Sequence, residues 1–314
     1  MTLRLRTMSE SERERAYSPS SCLVDGDYRP FVAAYRDRSR TAWSQLEAAP
    51  NVRTTVVRYG PADPHRIDVA VPLPTATVTA DDAVTNAGAA PMLVFLHGGY
   101  WQELSAADSR FAAADAVDRG WGFAAVDYTL APEADLDAIV DECRTAVGAL
   151  RHEAPNFGVD PERLVVAGSS AGAHLAAMVA MDDVGGDADH RPAGVVLVSG
   201  IFALEPLIGT SINAALGLDV DAARRNSPLL APEAVLARLP ATVIAYGDNE
   251  TEEFKAQSLA FAERLTDVGR PVATLEVPGR NHFDVILDLA AADTTLAAAT
   301  ASLVDGSGGG GADV

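Results

Sequence analysis

An apolar run, Leu164-Val165-Val166-Ala167, passes directly into Gly168-Ser169-Ser170-Ala171-Gly172 and then into a helix-like stretch from Ala171 to Met181. This strand–turn–helix unit constrains the fold more than any other feature of the chain. Glycines on both sides of the turn imply a backbone too crowded for side chains. A G-x-S-x-G placed between strand and helix holds its central residue, here Ser170, clear of the backbone at the top of a sheet.

The same alternation runs through the chain. Val52 to Tyr59 and Arg66 to Val71 alternate like antiparallel strands. Met92 to Leu96 is a continuous apolar run, as in a parallel strand buried on both faces. Further strands are expected at Gly122–Val126, Arg163–Ala167, Gly194–Ser199, Ala241–Tyr246 and Val272–Val277. Helices are expected at Phe31–Leu46, Ser105–Val117, Asp135–Arg151, Thr251–Val268 and Asp284–Leu303. Strands alternating with helices of this length predict an α/β architecture, a mostly parallel eight-stranded sheet with helices on both faces. Ligands in such sheets sit beyond the carboxyl ends of the strands. Residues 1–16 read as a flexible polar leader, 17–304 as one domain, 73–90 as an exposed loop within it, and 305–314 as a disordered Gly-rich tail.

Composition narrows the function classes. With 44 acidic against 24 basic residues the formal charge is −20, which argues against nucleic acid and anionic membrane surfaces as partners. Lys255 is the only lysine. Acid-rich, lysine-poor composition suits a high-salt environment, the reading we favour, although a GC-rich genome produces the same bias. Two cysteines, Cys22 and Cys143, imply no disulfide framework. Met1 to Ser20 lacks the apolar core of a signal peptide, and no run approaches the roughly 18 to 20 apolar residues that span a bilayer. The expectation is a cytoplasmic protein acting on a small molecule, without metal or cofactor; a homodimer is an assembly the sequence allows.

Acyl transfer needs a nucleophile, a base, an acid that orients the base, and donors for the oxyanion. Ser170 is the candidate nucleophile, and register favours it over Ser169. His282, in Pro278-Gly279-Arg280-Asn281-His282-Phe283 between the last strand and the last helix, is the candidate base. His65, His152 and His190 lie in polar segments and read as surface residues. His174, one turn beyond Ser170, reads as packing, and His97 as a brace for its own loop. Asp248 and Glu250 both follow the strand ending at Tyr246. A register of three residues after Gly247 favours Glu250 as the acid, with Asp248 the alternative, the other serving the N-terminus of the helix from Thr251. Chain order is then serine, acid, histidine. The oxyanion donors are expected from the N–H of Ala171 and from Gly99 and Tyr100 in His97-Gly98-Gly99-Tyr100-Trp101.

Taken together, His-Gly-Gly-x-Trp, G-x-S-x-G and the late acid and histidine resemble the α/β-hydrolase superfamily, near the hormone-sensitive-lipase-like esterases. Asp127-Tyr128-Thr129-Leu130-Ala131-Pro132-Glu133 resembles that branch too. The form His97-Gly98-Gly99-Tyr100-Trp101 is similar to that of the kynurenine formamidases (arylformamidases). So are Tyr17-Ser18-Pro19-Ser20, Ser199-Gly200 with Leu204-Glu205-Pro206-Leu207, and Glu253-Phe254 with Gln257-Ser258. The last segment also sets the acid register on Glu250, where the family often has Asp. The resemblance implies hydrolysis of N-formyl-L-kynurenine to L-kynurenine and formate, in tryptophan catabolism, with Gly99 and Tyr100 in the oxyanion hole. The alternative is a carboxylesterase of broad short-acyl scope. Trp101 and Phe283, with Tyr100, are the candidate aromatic substrate wall, with packing in the core the alternative, above all for Trp101.

Overall fold

The structure, a computed structural model, describes residues 8–73, 88–181 and 191–306. Most of the loop expected at 73–90, His190, and the tail from 307 lie outside these residues. Eight strands form one sheet: β1 (Val52–Arg58), β2 (Arg66–Pro72), β3 (Ala90–Leu96), β4 (Gly122–Val126), β5 (Val159–Ser169), β6 (Gly194–Val198), β7 (Ala241–Asn249) and β8 (Val272–Asn281). Their order is β1-β2-β4-β3-β5-β6-β7-β8. β1 pairs antiparallel with β2, and β2 with β4; every later neighbour is parallel.

The parallel strands are apolar throughout because both faces are covered. Every residue of β4 and β6 is buried. Along β3, Met92, Val94 and Leu96 point into one core while Leu93 and Phe95 point into the other, the period of two that a strand imposes. Ten helices accompany the sheet among the described residues: α1 (Glu10–Ala16), α2 (Arg29–Ala48), α3 (Ala113–Asp118), α4 (Leu136–Glu153), α5 (Ala171–Ala180), α6 (Asn213–Leu216), α7 (Val220–Arg225), α8 (Glu233–Leu236), α9 (Glu252–Asp267) and α10 (Thr295–Gly306). α4, α5 and α9 cover the first face. α2, α3 and α10 cover the second. Among the described residues no helix is long and apolar enough to cross a membrane.

Three local departures from the sequence pattern have identifiable causes. The helix expected at 105–117 is split into a 3₁₀ turn, Ala106–Ser109, and α3, because Arg110 between them turns inward and donates from Nε to buried Asp68 at 2.8 Å. The helix expected at 284–303 begins only at Thr295. Asp293 takes a left-handed φ of 61°, and the Thr294 hydroxyl accepts from the Ala297 N–H at 3.2 Å, as a start-of-helix residue does. Finally, residues 10–16, read as part of a mobile leader, form α1. Ser9 and Glu12 close a reciprocal capping box. Arg13 donates to the Ile208 carbonyl at 2.9 Å, and Thr251 donates to the Ala16 carbonyl at 2.7 Å. Arg13 and Glu14, the latter accepting from the Ser211 N–H, thus tie the segment to the domain, while Glu10, Glu12 and Arg15 stay exposed.

Candidate active site

β5 ends at Ser169 and α5 begins at Ala171, so a single residue, Ser170, makes the turn. It does so at φ 57° and ψ −119°, a conformation costing a non-glycine residue of order 1–3 kcal/mol and held by its surroundings. Its N–H donates to the Val198 carbonyl at 2.8 Å. The flanking glycines are required by close backbone approach. A Cβ on Gly168 would lie 2.1 Å from the Gly172 carbonyl oxygen, and one on Gly172 would lie 2.0 Å from that of Leu96.

The bend at the end of β7 places Glu250, and not Asp248, beside His282. Glu250 is 5% exposed, and its Oε2 lies 2.9 Å from His282 Nδ1. Its Oε1 accepts from the Gly247 N–H and from the Ser199 hydroxyl, each at 2.6 Å. Asp248 is exposed and accepts from the Gly279 N–H at 2.9 Å. It therefore braces the approach to the histidine loop rather than the N-terminus of α9, where Thr251 is the capping residue. Ser199 was not singled out chemically from sequence. It follows β6 with φ 51°, and a polar residue at the carboxyl end of a neighbouring parallel strand was the available signal. His282 itself is 5% exposed, with the Phe254 ring edge-on at 4.4 Å between centroids. With Nδ1–H given to Glu250, Nε2 is left as the basic nitrogen.

The glycine loop follows β3. Gly99 has φ 92°, and its carbonyl accepts from the N–H groups of Gln102 and Glu103. Tyr100 and Trp101 are also left-handed, at φ 52° and 60°. The N–H groups of Gly99, Tyr100 and Ala171 make no backbone hydrogen bond among the described residues. His97 braces the loop, as expected: it is 1% exposed, stacks on Tyr128 at 4.1 Å, and its carbonyl accepts from the Tyr128 hydroxyl at 2.8 Å. Trp101 does not line the cavity; of its two readings, core packing is the one the structure places. It is fully buried and meets His174 edge-on at 5.1 Å, because its left-handed backbone turns the indole into the core beside α5. His174 donates from Nε2 to the Asn226 carbonyl at 2.7 Å, and burial pushes it down to about 4. His65, read as a surface residue, is half-buried and lies 3.1 Å from Glu142.

Ser170, His282, Gly98, Gly99 and Tyr100 line one cavity of about 410 Å³, within the range of small-molecule sites. Phe283 forms part of its wall, stacked on Tyr28 and Phe31 at 5.7 and 5.6 Å. Tyr100, also expected there, lines it too, with Phe95 near the end of β3; Tyr17, Tyr28, Tyr35 and Phe111 join them from distant segments that sequence spacing could not assemble. Among the described residues Glu14 and Glu103 line it as well, and neither lysine nor arginine does. Among the described residues no cluster of three metal-ligating side chains exists.

A serine on a strained strand–helix turn and a histidine–carboxylate pair in one apolar cavity, at the carboxyl ends of parallel strands, define an α/β hydrolase. The alpha/beta hydrolase fold family matches residues 93–285, and the chain belongs to it and is a hydrolase. It is similar to the kynurenine formamidase of Danio rerio, 32% identical over 90% of this chain and 92% of that protein. The kynurenine formamidase of Salmo salar is likewise 32% identical, over 92% and 95%. Among solved structures, a candidate thioesterase from Silicibacter sp. TM1040 superposes with a TM-score of 0.74 at 26% identity, over 91% of this chain and 98% of that one.

Proposed function

We propose that the protein is an arylformamidase that hydrolyses N-formyl-L-kynurenine to L-kynurenine and formate, with Ser170, His282 and Glu250 as its triad. The observation that carries the reading is near end-to-end similarity to two kynurenine formamidases, in a chain whose nucleophile faces an aromatic-walled cavity. Ser170 Oγ attacks the formyl carbon while His282 Nε2 takes its proton and Glu250 holds Nδ1–H. The oxyanion is met by the N–H groups of Gly99, Tyr100 and Ala171, each worth on the order of 2.7–4 kcal/mol in the barrier. Collapse breaks the C–N bond, and His282 returns the proton to the aniline nitrogen. That nitrogen departs readily because its lone pair is delocalised into an aryl ketone. Water, activated by the same histidine, then releases formate from Ser170. Tyr28, Tyr35 and Phe283 face the aryl leaving group.

The test compares N-formylkynurenine with p-nitrophenyl acetate at equal enzyme concentration. Formamide turnover at a kcat/KM at least equal to that for the ester is expected. Ester turnover without formamide turnover would refute the reading in favour of a broad carboxylesterase. Ser170→Ala should abolish both activities, since losing a triad serine costs about 10⁶ in kcat.

A further inference from the structure

The segment Tyr17-Ser18-Pro19-Ser20 has no part in the chemistry above, yet it is tied more firmly than a surface loop requires. Tyr17 is 2% exposed. Its phenol oxygen accepts from Gln257 Nε2 at 3.1 Å. The Gln257 Oε1 in turn accepts from the N–H groups of Phe202 and Ala203 at 2.6 and 2.7 Å. The Tyr17 ring packs against Phe254, the residue edge-on to His282. Just before the segment, Thr251 donates to the Ala16 carbonyl; just after it, Asn249 donates to the Cys22 carbonyl at 3.4 Å. The strap is thus anchored on both flanks of Glu250.

Its other edge reaches the glycine loop. The Tyr100 hydroxyl donates to the Tyr17 main-chain carbonyl. Tyr100 is the one residue of the loop that combines an oxyanion-type N–H, a left-handed φ of 52° and a side chain long enough to be held from outside the loop. A left-handed backbone is unfavourable for a tyrosine, so something must hold it. Burial keeps the Tyr100 phenol well above the ordinary tyrosine range, so the hydroxyl remains a donor at every working pH.

We propose that the Tyr17-Ser18-Pro19-Ser20 strap is a positioning element for the oxyanion hole: the Tyr17 carbonyl, by accepting from the Tyr100 phenol, sets the direction of the Gly99 and Tyr100 N–H groups. This rests on the acyl-transfer reading of the site, though not on which acyl substrate is used. Formamide and ester both pass through an oxyanion, so the tether affects both.

The test is Tyr100→Phe, which keeps the ring and deletes only the donor. Oxyanion donors misplaced by a fraction of an ångström slow the chemical step, so kcat is expected to fall roughly ten- to a hundredfold on both substrates. KM should change by less than about twofold, because ground-state binding is not made there. Affinity for an aryl trifluoromethyl ketone, whose serine adduct carries the oxyanion, should weaken by a similar factor. Ile139→Val, a buried substitution in α4 on the first face, controls for loss of stability alone and should leave the kcat/KM split unchanged. If Tyr100→Phe does not fold, Tyr100→Met, which fills the space without a hydroxyl, carries the same test. A folded variant with unchanged kcat, or with KM and kcat altered alike and ketone affinity retained, overturns the proposal. Loss of formamide activity in the wild type with ester activity intact would instead refute the arylformamidase reading and leave this test standing on the ester.

Discussion

Replacing Glu250 by Gln probes the site most sharply, because the hydrogen bonds around the carboxylate determine how the amide must sit. Oε1 faces two donors at 2.6 Å, the Gly247 N–H and the Ser199 hydroxyl. The Gly247 N–H cannot reverse its polarity. An amide NH₂ turned toward it would leave a buried donor facing a donor, at a cost of about 1–3 kcal/mol. The glutamine oxygen therefore takes the Oε1 position, and its NH₂ faces His282 Nδ1. That group accepts only if the imidazole carries its hydrogen on Nε2, the tautomer that cannot take a proton from Ser170. Inverting the tautomer in this way costs about 10⁴ in kcat, or about 5.4 kcal/mol. Asp248→Asn is the matched control. Its exposed oxygen keeps the bond to the Gly279 N–H, so a change within about threefold is expected, as for an exposed hydrogen bond worth under about 1 kcal/mol. Steady-state kcat on whichever acyl substrate turns over measures both, with circular dichroism to establish folding. Retention of more than about a tenth of wild-type kcat by Glu250→Gln, or a larger loss in Asp248→Asn, would refute the assignment.

Two further outcomes are expected. Gly172→Ala places a methyl 2.0 Å from the Leu96 carbonyl and 2.6 Å from that of His97. Since both obstacles are backbone, a loss of about 3 kcal/mol or more, read as a drop in Tm of roughly 5 °C or more, is expected; an unchanged melt would contradict the packing. His174 is held neutral by burial, its value pushed down to about 4 from 6.5 despite the hydrogen bond to the Asn226 carbonyl. The unfolded chain thus binds a proton that the folded chain excludes. The stability this contributes is present above pH 6.5 and lost as pH falls, about 2 kcal/mol by pH 5. His174→Gln should therefore lose less stability between pH 7 and pH 5 than the wild type, and identical slopes in denaturant titrations would exclude His174 as the cause.

Much of the site was legible because its parts are local. The Gly168–Gly172 turn needs small residues wherever two backbones nearly touch, and the glycine positions record that need directly. Glu250 was reachable from Gly247 because three residues carry the chain around one turn at the end of β7. Trp101 could be read as wall or core because a left-handed φ, invisible in a residue list, decides which of the two an aromatic side chain enters. That residues 10–16 form a helix was not legible, because part of what holds it is non-local: Arg13 donates to a main-chain carbonyl nearly two hundred residues away.

By itself, the sequence determined the elements: apolar runs for doubly covered strands, a serine on a glycine-flanked turn, and a histidine and acid at the ends of later strands. These follow from periodicity and steric crowding over a few residues. Only the tertiary structure decided which side chains share a cavity. Tyr17, Tyr28, Tyr35, Phe111 and Phe283 converge on Ser170 from separated segments, and Ser199 meets Glu250 across two adjacent strands. Such meetings depend on strand order and on long-range packing, which local spacing along the chain does not encode.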